Sequence, residues 1–413
     1  MRLRLAVLAG RACAAYFRAA SLPGSGTIAG RVVLALAPDA LLRLTASRAV
    51  VLVSGTNGKT TTTRMICEAL RGTGRVASND TGANMPAGLV TALVLQRRTG
   101  YAVLEVDERY LALACAQTRP AAVVLLNLSR DQLDRNPETA LVARAWREIP
   151  HGPATRVVAN CDDPNVYWAA ARSPLVTWVS MGDAWHDAWW CPACGQPLTR
   201  EASGTWACLG CGLERPDPDW LAEGRCVTCV RTGESYKPEL RLPGRVNVAN
   251  AAMALAVAAS LGQPVEPTVT ALEGVESIAG RYGVTEMCGR RVRLLLAKNP
   301  ASWAEIFRMI KHSPGVLLVL NARELDGQDT SWIWDVDFRE LAGQTVLVTG
   351  ERRLDLAVRL DLAEVEFKLV SSLEEACALA PTGPLDVVAN YTAFLDLVRR
   401  FGPGSTRTWS RRT

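Results

Sequence analysis

Short, unbroken apolar runs alternate with stretches of helical period along most of this chain. Ala49–Ser54, Tyr101–Val106, Ala121–Leu126 and Arg156–Ala159 are rich in β-branched residues and carry few polar positions. That pattern predicts strands buried on both faces of a parallel sheet. Helices are predicted to begin near Thr60 and near Asn247, the latter in a run of strong helix formers, Asn247-Val-Ala-Asn-Ala-Ala-Met-Ala-Leu-Ala. After Tyr282 the rhythm resumes, with strands predicted at Arg291–Leu296, Val316–Leu320, Thr345–Val348, Val365–Leu369 and Asp386–Ala389. Between about Ala184 and Thr232 it fails: Cys, Trp, Gly and Pro crowd together and periodicity is lost. The expected architecture is α/β with a largely parallel sheet. Residues 1–46 read as an N-terminal helical segment, 47–283 as a central domain with an insertion at about 184–232, and 284–413 as a second α/β domain.

Composition narrows this picture only a little. With 413 residues, 49% hydrophobic and 21% charged, the chain has the material for more than one globular domain. Its net charge of +5 is spread thinly, with no clustered basic run, so nucleic-acid binding is not expected. No apolar stretch reaches the roughly 20 residues that span a bilayer. Met1–Leu22 is apolar, but Arg11 and Arg18 interrupt it and no clear cleavage site follows. An amphipathic helix packed on the protein body is expected there. The chain is placed in the cytoplasm, with a peripheral position at the inner membrane face left open.

The strongest local signal is Gly55-Thr56-Asn57-Gly58-Lys59-Thr60-Thr61, which follows a predicted strand and opens a predicted helix. Glycines let backbone N–H groups curl around phosphate oxygens, and the helix N-terminus adds partial positive charge. Lys59 would neutralise the β- and γ-phosphates, and the Thr60 hydroxyl would hold Mg²⁺. The loop is compressed: Val53 stands where the general pattern has its first glycine. A carboxylate for the metal is available at Glu105, since an acid at the end of an apolar strand is costly unless paired or metal-bound.

Six of the twelve cysteines lie between Cys191 and Cys229. In a cytosolic protein such crowding points to a metal. Three Cys-x-x-Cys pairs are present: Cys191/Cys194, Cys208/Cys211 and Cys226/Cys229. Two pairs saturate a tetrahedral zinc and leave no open position for water, so a structural role is expected. A further unusual segment, Asp326-Gly-Gln-Asp329-Thr-Ser-Trp332-Ile-Trp334-Asp335, follows a predicted strand.

Together these motifs resemble the Mur ligase family. The compressed phosphate loop is similar to that of Mur ligases and folylpolyglutamate synthases, and Glu105 matches the family's magnesium glutamate. Asn247 and Asn250 resemble the adenine-side asparagine motif, and Gly280-Arg281 the pair whose arginine reaches the nucleotide phosphates. Thr81–Asn84 resembles the substrate-facing loop. Asn127-Leu-Ser-Arg-Asp131-Gln132-Leu-Asp134 resembles a family segment in which Gln132 replaces a histidine. Within the family, the cysteine pairs and the acidic Trp segment, with Ala297–Pro300 upstream, resemble the MurT type. That resemblance selects Cys191, Cys194, Cys208 and Cys211 as the zinc ligands.

The resemblance implies a Mur ligase-type central domain with an inserted zinc ribbon and a C-terminal Rossmann-like domain. It implies ATP, Mg²⁺ and structural Zn²⁺. It also implies amidation of the α-carboxylate of D-glutamate in the lipid II stem peptide through an acyl phosphate. The chain has three histidines and no evident Cys-His nucleophile elbow. Ammonia would therefore come from a partner, a GatD-like glutamine amidotransferase. The family pattern makes Asp329 the carboxylate completing that partner's Cys-His pair, with Asp326 and Asp335 as fallbacks. Two alternatives stand beside this reading. An amino-acid-adding or folylpolyglutamate synthase-like ligase shares the phosphate loop but neither distinguishing feature. A non-catalytic nucleotide-binding scaffold would use the zinc module to bind protein or nucleic acid.

Overall fold

The structure, a computed structural model, describes residues 2–401 apart from 21–23, 25, 80–81, 97–98, 131–137, 183–186, 202–203, 276–281 and 325. The chain divides into two compact units, Met1–Ser129 with Glu138–Glu276, and Arg130–Pro137 with Ser277–Thr413.

In the first unit the apolar runs form the middle of one sheet. Its first strands are β1 (Ala49–Ser54), β2 (Val76–Ser78), β3 (Tyr101–Glu105), β4 (Ala122–Leu125), β5 (Arg156–Asn160) and β6 (Val176–Ser180). A separate small hairpin follows, β7 (Thr199–Arg200) and β8 (Trp206–Ala207), and then β9 (Trp220–Glu223), β10 (Cys226–Cys229) and β11 (Ser235–Tyr236). The order across the sheet is β11-β10-β9-β6-β5-β4-β1-β3-β2. Pairing is parallel from β2 through β6 and on to β9, after which β10 and β11 fold back antiparallel. Residues 220–236 thus extend the main sheet, so the separate ribbon is shorter than the broken pattern predicts. Their Cys and Trp content hid an ordinary alternation, with Trp220 and Ala222 inward and Leu221 half-exposed.

One register matters below. β1 and β3 run parallel with Val53 opposite Glu105, so both strands end level at the same sheet edge. The helices Lys59–Arg71 and Arg245–Ser260 contact each other extensively, and both are mostly buried. The opposite sheet face, with Val50, Leu52 and Leu104, shares a core with the N-terminal helix Arg2–Ala19 through Ala6, Val7 and Ala14. Gly10 lets that helix approach its neighbour: a Cβ there would sit 2.7 Å from Val33 Cγ2 and 2.8 Å from the Ala29 carbonyl. Arg11 donates to the Val94 carbonyl at 2.7 Å.

The second unit has strands β12 (Tyr282–Met287), β13 (Arg290–Leu296), β14 (Gly315–Val319), β15 (Thr345–Thr349), β16 (Phe367–Leu369) and β17 (Leu385–Ala389). Their order is β12-β13-β17-β14-β15-β16, all parallel except the β12–β13 hairpin. Trp303, Phe307 and Phe338 meet edge-to-face or tilted beneath it. No helix among the described residues is long and apolar enough to cross a membrane.

Candidate active site

At the end of β1 the chain turns sharply, and two glycines permit the turn. Gly55 has φ +145 and Gly58 φ +83, both in the region that favours glycine. A Cβ on Gly55 would lie 2.8 Å from Leu126 Cβ, and one on Gly58 would lie 2.8 Å from Asn250 Oδ1. The loop is held from the neighbouring strand end. The Thr56 amide donates to the Asn127 carbonyl at 2.8 Å, and the Asn57 amide to Asn127 Oδ1 at 2.9 Å. The Ser129 amide donates to Thr56 Oγ1 at 3.0 Å. The helix Lys59–Arg71 then starts beneath the loop, with Lys59, Thr60 and Thr61 all buried.

Lys59 donates to the Gly55 carbonyl, to the Thr56 carbonyl at 3.2 Å and to Glu108 Oε2 at 3.3 Å. A triphosphate entering the loop would compete with Glu108 for this ammonium. The Thr60 hydroxyl donates to Glu105 Oε2 at 2.7 Å, and Asn84 Nδ2 reaches Glu105 Oε1 at 3.4 Å. Glu105 is only 2% exposed. Its backbone is clamped both ways by Asn79, each bond 2.8 Å. This hydroxyl and carboxylate form an all-oxygen donor set, which suits a hard cation such as Mg²⁺. Thr62 Oγ1 donates to Asn250 Oδ1 at 3.2 Å, and Asn250 Nδ2 meets Asn247 Oδ1 at 3.4 Å, so the asparagine motif borders the same loop.

Sequence reasoning missed two residues here. Glu108 was legible as a second acid just past β3. Asp163 was legible as an N-cap before Pro164. Asp163 is fully buried and caps the helix Pro164–Ala170, while its Oδ2 accepts from the Leu128 amide at 2.7 Å. It thereby seats the Asn127–Ser129 strand end that grips the phosphate loop. Burial pushes its carboxyl up to about 7, against the pull of the Leu128, Val166 and Asn165 amides. An unfolded Asp titrates near 3.9. The folded state thus binds the proton more tightly, and this stabilising contribution is fully present below about pH 4 and lost as pH rises through 7. Asp163→Asn should therefore flatten the fall in urea midpoint between about pH 5 and pH 8, measured against the parent chain. It should also weaken nucleotide retention, because Asn keeps only one acceptor oxygen for the Leu128 amide on one side and the Asn165 and Val166 amides on the other.

The four ribbon cysteines converge. Cys191 and Cys211 Sγ lie 3.6 Å apart, Cys194 and Cys208 Sγ 3.4 Å apart, and all four fall within 4.8 Å. Tetrahedral thiolates around zinc, at about 2.3 Å from the metal, stand about 3.8 Å from one another, so the set fits that ion. Each knuckle closes on a left-handed glycine, Gly195 and Gly212, whose amides donate to the Cys191 and Cys208 carbonyls. Cys226 and Cys229 lie elsewhere, three apart on β10, where successive side chains alternate faces. They are not part of the cluster. The ribbon is fastened to the unit by Trp206 Nε1 to the Cys161 carbonyl at 3.1 Å and by Arg215 to Asp162 at 2.8 Å.

In the second unit, Asp329 is exposed and turns back on Ser331, accepting from its amide at 2.7 Å and its hydroxyl at 2.8 Å. Those bonds hold its carboxyl below the usual range. Asp326 is buried and spent on the Thr392 amide at 2.8 Å and the Thr392 hydroxyl. Asp335 pairs with Arg130 at 3.0 Å. Gly280, Arg281, Thr81, Asp131, Gln132 and Asp134 lie outside the described residues.

Comparison with known proteins bears on these arrangements. The Mur ligase middle domain family matches residues 53–258, and the MurT ligase C-terminal family matches residues 296–394. A Streptococcus pneumoniae protein, lipid II isoglutaminyl synthase (glutamine-hydrolyzing) subunit MurT, is 30% identical over 96% of each chain. The Staphylococcus aureus protein of the same name is 29% identical over 85% of this chain and 86% of its own. Among solved structures, a pseudomurein peptide ligase type C from Methanothermus fervidus superposes with a TM-score of 0.66 at 18% identity, covering 87% of this chain and 80% of that one. MurF from Acinetobacter baumannii gives 0.64 at 18%, covering 89% and 78%.

Proposed function

The chain belongs to the MurT family of Mur ligases, and from that premise we propose that it is the synthetase subunit of a lipid II isoglutaminyl synthase. ATP phosphorylates the α-carboxylate of D-glutamate in the stem peptide, and ammonia displaces the phosphate to leave D-isoglutamine. The observation that carries this reading is the Thr60–Glu105 pair beside Lys59 under the Gly55–Gly58 turn. No protein nucleophile is required. Backbone amides of the loop and the Lys59 ammonium orient the triphosphate and stabilise charge on the transferring group. Asn250 borders the loop on the adenine side, and Arg281 belongs to the same phosphate-binding set by its motif. Thr60 and Glu105 would hold Mg²⁺, which would supply charge neutralisation for the triphosphate when bound. Cys191, Cys194, Cys208 and Cys211 would hold a structural Zn²⁺.

Nitrogen comes from a GatD-like glutaminase partner. Asp329 is the exposed carboxylate in the acidic Trp segment, and its low proton affinity suits an anion that orients a partner's histidine through its second nitrogen. Asp326 is unfit for that task because its oxygens already serve Thr392. Asp329→Asn should lower glutamine-dependent isoglutamine formation by roughly 10²-fold or more while leaving ammonium-driven formation intact. Equal loss with both nitrogen sources, followed by mass spectrometry of the lipid product, would remove the residue from that role. Work on a lipid-linked substrate would bring the chain to the inner membrane face.

A further inference from the structure

The helix Arg2–Ala19 carries two apolar faces. One, with Ala6, Val7, Gly10 and Ala14, is buried against the first unit. The other looks outward: Leu5, Leu8 and Tyr16 are 59%, 61% and 66% exposed, and Ala12, Ala15 and Ala19 are exposed along the same line. A single exposed leucine needs no explanation. Here the exposed positions recur at helical spacing and form one stripe. Arg4, Arg11 and Arg18 recur every seven residues, nearly two turns, and so follow one border of the stripe, where Arg11 is held by the Val94 carbonyl and Arg4 is exposed. Arg2 stands on the other border. The helix has no acidic residue, and the chain's first is Asp39. The helix Ile28–Leu36 that packs beside it adds an exposed Arg31 and a 45% exposed Leu36.

We propose that the outward face of the helix Arg2–Ala19 rests on an anionic lipid surface. Apolar side chains enter the headgroup boundary while flanking arginines meet lipid phosphates, the arrangement by which amphipathic helices lie in a membrane interface. Long arginine side chains reach the charged layer while their stems stay on apolar surface. Charge complementarity selects this occupant. Arg2, Arg4, Arg18 and Arg31 precede the first acidic residue, Asp39, and this positive charge would repel a second copy of the same face and attract a negative bilayer. The inference rests on the proposed lipid-linked substrate for its purpose, since docking would hold the ligase beside a substrate confined to the membrane.

The test is sedimentation of the full chain with vesicles of phosphatidylcholine alone or mixed with phosphatidylglycerol. Binding should occur on the anionic vesicles, weaken with salt and fall at least tenfold on neutral ones. The variant Leu5→Gln/Leu8→Gln/Tyr16→Ser should lose at least tenfold in vesicle affinity with an unchanged thermal midpoint, and Arg4→Gln should lose less. No binding to anionic vesicles, or equal binding by the triple variant, overturns the proposal. So does a dimer, found by sedimentation equilibrium, that excludes vesicles. The same variant assayed with ATP and saturating ammonium on a soluble, tail-less substrate should form isoglutamine at the parent rate. Failure of the parent chain in that assay would count against the ligase reading and not against the docking surface.

Discussion

Lys59→Met should reduce ATP-dependent isoglutamine formation by about 10³-fold at saturating ammonium, with little change in thermal midpoint. Methionine keeps most of the buried stem and removes only the ammonium. That group is 4% exposed and surrounded by the Gly55 and Thr56 carbonyls and Glu108. Such a buried, fixed charge acts on a transferring phosphoryl group without reorganising at the moment of reaction. Glu105→Gln should act on the same step through Mg²⁺ and raise the magnesium needed for half-maximal rate. Because the two residues serve one transition state, the double variant should be barely worse than the poorer single one. Activity of Lys59→Met within tenfold of the parent would dismantle the site assignment.

Loss of the ribbon metal should have the largest effect on stability. One zinc per chain is expected by elemental analysis of protein purified without chelator. Cys191→Ser should abolish it and lower the thermal midpoint by roughly 5 °C, equivalent to about 3 kcal/mol. The ribbon hairpin holds only two residues per strand, far too little to stay folded without the metal. The effect should spread inward. Trp206 and Arg215 are bonded to Cys161 and Asp162, next to the Asp163 that seats Leu128. Nucleotide affinity should therefore fall along with the midpoint. Parent protein that lacks metal yet melts normally would refute the structural role.

What could be read from the sequence depended on how much each segment owes to its own residues. β1, β3, β4 and β5 are buried on both faces and announce themselves as apolar runs. β6, Val-Thr-Trp-Val-Ser, is only half-buried over its first three residues, and no clean period shows. β12 was hidden because it is a polar outer strand, Tyr282–Met287, defined by its hairpin partner. β9 and β10 were obscured by cysteines and tryptophans that read as ribbon. Within the site, Gly55, Gly58, Lys59, Thr60 and Glu105 were legible because phosphate and metal chemistry demand those types. The grips of Asn79 on Glu105, Asn127 on Asn57 and Asp163 on Leu128 were not, since each holds backbone from a distance of 26 to 70 residues in sequence. Only the folded topology brings such partners together.

The level ending of β1 and β3 constrains more than residue identity. With Val53 facing Glu105 across the ladder, inserting or deleting one amino acid inside β3 would turn the carboxylate to the opposite sheet face. Strand length is thus itself a heritable requirement for activity. Indels should be excluded from Tyr101–Glu105 while tolerated in the exposed loops, and a variant library scored by growth would reveal that boundary as sharply as any point substitution.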